Sequence, residues 1–168
     1  VMPDGRICLY DDAAMLAFAR ETGLSETTFL QPATEDGATY RTRIWTVNGE
    51  LPFAGHPSLG TAVAVAAARG DAEAEYVQQT AAGLQPLEVA LHGLAGRASM
   101  LQEPAVFGEH LDPGAVFAAL GLSARDAHPQ LAPRVGSTGV RHVLALAASP
   151  EALGRTAPVP ERLGELLD

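Results

Sequence analysis

Between Pro57 and Arg69 the chain reads PSLGTAVAVAAAR, and Gly70 follows. Leu59, Ala62, Val63, Ala64, Val65, Ala66, Ala67 and Ala68 leave this stretch without a polar face at helical spacing. A helix apolar all round is expected to be surrounded by protein. Pro57 suits the first helical position, where its missing N–H costs nothing, and Gly70 suits the stop. Gly60 and the alanines would let strands come close to the axis. The simplest architecture is a curled sheet wrapped around one central helix. The start of such a helix opens at the mouth of the wrap, and its free N–H groups favour an anion. Gly55 would let a ligand approach the backbone there, with His56 and Ser58 adding side chains. A small molecule bearing a carboxylate is the natural guest. A tight turn with His56 bonded to a backbone carbonyl would also account for Gly-His-Pro.

The length suits one ordinary domain, or a domain and a fraction. The chain has 168 residues, 47% of them apolar and only 5% aromatic, so the core should consist of Ala, Val and Leu. A net charge of -9 argues against nucleic-acid binding, which needs clustered Lys and Arg. The one cysteine, Cys8, allows neither an intrachain disulfide nor a cysteine-based metal cluster. The first residues lack the pattern of a signal peptide, and the apolar run Ala62 to Ala68 is too short to span a bilayer. The expectation is a cytoplasmic protein in a reducing compartment, without membrane contact.

Turn and periodicity signals divide the chain. Arg6 to Tyr10 reads as a strand, followed by a helix capped at Asp11 or Asp12, running to Thr22 and stopped by Gly23. Ser25 to Leu30 and Thr39 to Val47 read as strands before the central helix. Glu75 to Thr80, Gln85 to Leu91 and Arg97 to Gln102 read as strands after it. Asp112-Pro113 opens a helix that ends at Gly121, Val135 to Ala147 offers one strand or two, and helices start at Ser149-Pro150 and at Pro160. The order is α+β, not the alternation of a doubly wound sheet. A seam is expected near Glu103 to His110, where Pro104 and Gly108 interrupt the pattern.

Strand alternation from Gly23 places Leu24, Glu26, Thr28 and Leu30 on one side. A carboxylate among apolar neighbours is expected to have a raised pKa, as a general acid/base needs. A solvent-facing Glu at a strand end fits the same pattern. Ser58 lies near the helix start, but a nucleophile elbow needs Gly two residues before the serine, and His56 stands there.

Taken together, Ser25-Glu26-Thr27-Thr28-Phe29, Arg43-Ile44, Glu50-Leu51-Pro52-Phe53-Ala54-Gly55-His56-Pro57 and Gly60-Thr61-Ala62 resemble the PhzF-like family of phenazine-biosynthesis isomerase-like proteins. Weaker echoes follow in Gln79-Thr80 with Gly83, in Met100 with Gln102 and Pro104, and in Gly139-Val140-Arg141-His142. The resemblance implies the fold of diaminopimelate epimerase and proline racemase: two similar halves, each a mixed sheet rolled around a central helix, here Pro57 to Arg69. It divides the chain into residues 1–104, a first half, and 105–168, the start of a second. It implies a cofactor-free isomerase in which Glu26 moves a proton between carbons of a small carboxylated metabolite. His56 would orient the substrate or assist, and Gly55, Pro57 and Ser58 would border its carboxylate. The related racemases use two cysteines, and Cys8 stands outside any such motif.

Family chains continue past the position of Asp168, with a second helix start near an Asp-Pro-Ala-Thr-Gly-Ser motif and an acidic residue opposite the glutamate. Nothing in this sequence matches it. The chain is therefore expected to be a fragment, a split protein or a degenerate relative, associating as a homodimer or with a completing second chain. A non-catalytic binding or assembly module is the alternative.

Overall fold

The computed structural model describes residues 10–93, 95–102 and 104–166, so the expected strand at Arg6 to Tyr10 and Cys8 fall on residues outside that description, Tyr10 excepted. The chain divides into two compact units, Val1–Gln102 and Glu103–Asp168.

The first unit begins with helix α1 (Asp12–Thr22), whose Asp11 cap accepts from Ala14 N–H. Gly23 ends it at φ 62°, a left-handed conformation that glycine adopts without a Cβ penalty. Strands β1 (Thr27–Gln31), β2 (Tyr40–Thr46) and β3 (Gly49–Leu51) follow, then helix α2 (Gly55–Arg69). Strands β4 (Glu73–Thr80), β5 (Gly83–His92) and β6 (Ala95–Met100) complete the unit. The sheet order is β1-β2-β4-β5-β6, with β3 beside β2. Among the described strands only β2 and β4 run parallel, joined at Tyr40↔Gln78 and Arg41↔Gln79. The short β3 carries few apolar residues, which is why alternation alone did not mark it.

Helix α2 packs against β1, β2, β4, β5 and β6, so the sheet does curl around it. Ala62, Val65 and Ala66 join Tyr40, Tyr76, Leu87 and Val89 in the main core. Gly96 on β6 has no side chain because Val63 occupies the space: a Cβ there would lie 2.5 Å from Val63 Cγ1. On the other face of β1 and β2, Met15 and Ala19 of α1 pack on Trp45, with Leu16 and Phe29 beside them.

Two expectations about α2 need correction. It begins at Gly55, so Pro57 is its third residue rather than its first. The first three helical N–H groups all lack an intrahelical acceptor, so proline is tolerated there as well. Nor is the helix enclosed all round: Gly60, Ala64, Ala67 and Ala68 are exposed along one stripe. Alanine is a strong helix former with little surface to hide, so a run of alanines does not require a partner on every side.

The second unit holds strand β7 (Val106–His110), helix α3 (Pro113–Ala119), a 3₁₀ turn (Ala124–Asp126), strands β8 (Arg134–Ser137) and β9 (Arg141–Leu144), and short helices α4 (Pro150–Leu153) and α5 (Pro160–Glu165). The expected single strand or pair over Val135 to Ala147 is thus a pair, β8 and β9, and β7 was not foreseen. The three strands form their own antiparallel sheet in the order β7-β8-β9. Val116, Phe117 and Ala119 of α3 and Ala152 of α4 are buried, while Val106, Phe107, Leu144 and Leu146 remain exposed. Among the described residues no helix is long and apolar enough to cross a membrane.

Candidate active site

Glu26 precedes β1 by one residue, and His56 is the second residue of α2. The curl of the sheet brings them together: His56 Nε2 lies 3.0 Å from Glu26 Oε2. The Ser25 hydroxyl donates to the same oxygen at 2.6 Å. The Glu26 side chain is 18% exposed and the His56 side chain 76%. The expected apolar surroundings of Glu26 are therefore not what the structure shows: its carboxylate meets a hydroxyl and an imidazole. Nor does it point freely into solvent, as a strand-end glutamate would.

From this pair a groove of about 450 Å³ runs along the open stripe of α2. Glu26, Thr28, His56 and Thr61 supply its polar end, and Leu30, Gly60, Ala64, Val65 and Ala68 its apolar length. The hydroxyls of Thr61 and Thr28 meet at 2.9 Å across the groove floor. A volume of this size suits a small molecule. A wider hollow of about 630 Å³ is lined by Glu73, Glu75 and Glu88 with Arg97, and its carboxylates would repel an anionic guest.

The N-terminus of α2 has no side-chain cap on Ala54 and no acidic residue in its first turn. Pro57 has no N–H, and the Ser58 N–H is used on the Ala54 carbonyl at 3.3 Å. The N–H groups of Gly55 and His56 thus stand without an acceptor among the described residues. Orphan donors at the positive end of a helix dipole attract a carboxylate.

The five residues singled out from the sequence divide. Glu26, His56 and Pro57 line the groove, and Gly55 adjoins it. Ser58 does not. Its side chain is fully buried, its hydroxyl donates to the Ala54 carbonyl at 2.8 Å, and Gln78 Nε2 donates to it at 2.8 Å. An oxygen so engaged serves neither as a substrate contact nor as a nucleophile, because Ser58 sits on the helix face turned to the sheet. Gly55 has room: a Cβ there would meet Gln102 and Met100 only at ordinary contact distance. Thr28 and Thr61 were missed as groove residues, although alternation had put Thr28 on the side of Glu26. Among the described residues no group of His, Cys, Asp and Glu could hold a metal ion.

Comparison with known proteins places this geometry. The phenazine biosynthesis-like protein family, PhzC-PhzF, matches residues 1–165. An uncharacterized isomerase of Mesorhizobium japonicum is 36% identical over 149 residues, which cover 86% of this chain and 49% of the relative. The trans-2,3-dihydro-3-hydroxyanthranilate isomerase of Pseudomonas aeruginosa is 37% identical over 138 residues, 80% of this chain and 49% of the relative. The chain therefore spans about half the length of these relatives. Among solved structures, a predicted epimerase from Pseudomonas aeruginosa superposes with a TM-score of 0.79 at 39% identity, over 93% of this chain and 57% of that one. A hydroxyproline epimerase from Agrobacterium vitis shares the fold alone, with a TM-score of 0.60 at 15% identity, over 92% of this chain and 42% of that one. With a curled sheet on a central helix and a match along nearly its whole length, the chain belongs to the phenazine biosynthesis-like family, whose named relatives include isomerases.

Proposed function

We propose that this chain carries one wall of a proton-transferring isomerase site acting on a small carboxylated metabolite. Glu26 takes a proton from a substrate carbon and returns one to another carbon of the same molecule. The electron pair released in the first step passes into the substrate's conjugated carboxylate and comes back as the second C–H bond forms. The N–H groups of Gly55 and His56 at the start of α2 hold that carboxylate, and the His56 imidazole steers Glu26 and the substrate.

The observation that supports this most is the half-used carboxylate at the groove mouth: both polar contacts of Glu26 fall on Oε2. Oε1 is left for the substrate, next to a helix start whose Gly55 and His56 N–H groups have no acceptor among the described residues. The isomerase names of the relatives point the same way.

The test needs the protein with whatever polypeptide completes it, and the compound named for the Pseudomonas aeruginosa relative is the first substrate to try. Turnover in heavy water should place deuterium on a substrate carbon, and Glu26→Gln should abolish that exchange while binding survives. Exchange at the parent rate in Glu26→Gln would remove Glu26 from the role of base.

A second reading is a binding or assembly module without turnover. It is favoured by the exposed stripe of α2 beside edge strand β1. Open strand edges and uncovered helix faces invite another chain, so we expect a homodimer or a complex with a completing polypeptide. Sedimentation as a compact monomer at micromolar concentration would count against association.

A further inference from the structure

A buried chain of polar groups runs from the sheet to the start of α2, which carries His56. The Thr42 hydroxyl on β2 donates to Gln78 Oε1 on β4 at 3.1 Å. Gln78 Nε2 donates to Ser58 Oγ at 2.8 Å, and Ser58 Oγ–H donates to the Ala54 carbonyl at 2.8 Å. Each hydroxyl gives its one proton in one direction, so the chain has a single consistent polarity. Gln78 and Ser58 are both 0% exposed and Thr42 is 2% exposed. Burying an amide is costly unless its oxygen and nitrogen find partners, and both ends of Gln78 do so here, beside a core that includes Tyr40, Tyr76 and Leu87.

We infer that Gln78 is a positioning residue for the site: acting through Ser58, it fixes the Ala54 carbonyl and so aims the free N–H groups of Gly55 and His56. The assignment rests on the carboxylate cradle proposed above. In a trans peptide the C=O and the next N–H point in opposite directions, and no described peptide bond is cis. Held along the helix by the Ser58 hydroxyl at 2.8 Å and the Ser58 N–H at 3.3 Å, the Ala54 carbonyl points the Gly55 N–H back out of the helix end. The same turn of backbone sets where His56 leaves the helix. Ala54 has no side chain that could accept from those N–H groups, so among the described residues they stay open to a ligand.

A neighbouring glutamine provides the control. Gln79 on the same strand is also buried, but it bonds the loop at Thr34 and Glu35 on the other face of the sheet. The ¹⁵N-labelled chain is compared with Gln78→Leu, Ser58→Ala, the double variant and Gln79→Leu. Three quantities are read: melting temperature, the ligand-free amide peaks of Gly55 and His56, and benzoate affinity at those peaks. Gln78→Leu should displace both peaks and weaken benzoate about tenfold, the worth of one hydrogen bond in such a network. Ser58→Ala should do the same, and the double variant should add nothing further, because the two residues act in series. Gln79→Leu should lower the melting temperature and leave the peaks and the affinity in place.

The inference is overturned if Gln78→Leu costs only melting temperature, as Gln79→Leu does, or if the two single effects add in the double variant. Wild-type amides that ignore benzoate would instead sink the carboxylate cradle. The tether would then stand or fall on the ligand-free peaks, which must still move together in Gln78→Leu and Ser58→Ala. If Gln78→Leu does not fold, the same criterion is applied to Ser58→Ala against Gln79→Leu, and unmoved Gly55 and His56 peaks in Ser58→Ala refute the tether.

Discussion

Two charged clusters of the first unit are built from neighbouring parts of the same motif, and they are wired in opposite ways. Arg43 gives Nε to Glu50 Oε1 at 2.7 Å, Nη2 to Glu50 Oε2 at 2.5 Å and Nη1 to Asp12 Oδ1 at 2.7 Å. Its guanidinium also lies 5.3 Å from the centre of the Trp45 ring. The hydrogen bonds to Glu50 push the Arg43 pKa above its already high ordinary value. Glu26 and His56, by contrast, share one contact, and His56 is largely exposed. In the first cluster all three guanidinium nitrogens and both Glu50 oxygens are engaged, joining β2, β3 and α1. The second has kept capacity free where a groove begins. Saturation, more than charge or burial, separates a structural ion pair from a candidate for chemistry.

The comparison breaks most visibly if the two clusters respond alike to loss of one member. Glu26→Gln in the completed protein should lower turnover about 10²–10⁴-fold, the usual worth of a general acid/base, with an unchanged melting temperature. Arg43→Met should do the reverse. Removing the arginine leaves Glu50 bound to nothing on a partly buried surface, at a cost of about 2 kcal/mol once the exposure of its partners is allowed for. Urea unfolding followed by circular dichroism measures it. A large loss of stability in Glu26→Gln, or none in Arg43→Met, would undo the distinction.

The saturated cluster and the free one were not equally legible in the sequence. Alternation placed Glu26 beside Thr28, and the helix-start signals placed His56 and Gly55 at an anion-binding terminus; their meeting at 3.0 Å follows from the curl of the sheet. The inward turn of Ser58 depends on which face of α2 meets Gln78, and an almost uniformly small, apolar helix carries no signal of its own rotation. The same uniformity hid the open stripe at Gly60, Ala64 and Ala68. Arg43 and Glu50 are seven residues apart and gave no local signal of pairing, since it takes the β2–β3 hairpin, with Trp45 opposite Glu50, to bring them together.

Tyr40 sharpens the comparison as a third kind of polar group, buried and without a partner. It is 3% exposed, and its hydroxyl has no hydrogen-bond partner among the described residues. Burial, then the nearby Tyr76, push its pKa up to about 12. Its folded pKa thus lies above the unfolded value of about 10. The stability tied to it is fully present below pH 10 and is lost as pH rises from there through 12, because the unfolded chain ionises first. Tyr40→Phe removes an unsatisfied hydroxyl, so stability at pH 7 should stay within about 1 kcal/mol of the parent or rise. The alkaline fall in melting temperature should become shallower. An unchanged alkaline limb in Tyr40→Phe would assign that limb to Tyr76, whose pKa is also raised by burial and by its bond to Asp71.

The smallest effect belongs to the outermost member of the saturated cluster. Asp12 is 74% exposed while Arg43, its partner, is 13% exposed. Asp12 also stands in the first turn of α1, where a negative charge favours the helix dipole. Both contributions act mostly through water, so Asp12→Asn should cost only about 0.5 kcal/mol at low salt. At about 1 M salt, where the screening length falls to about 3 Å, the difference should shrink further. Urea midpoints of parent and variant at the two salt concentrations decide it. A cost near that of Arg43→Met, indifferent to salt, would mean that the cluster holds α1 through Asp12 as firmly as it holds β3 through Glu50. Saturation would then describe the whole triad rather than the Arg43–Glu50 pair at its centre.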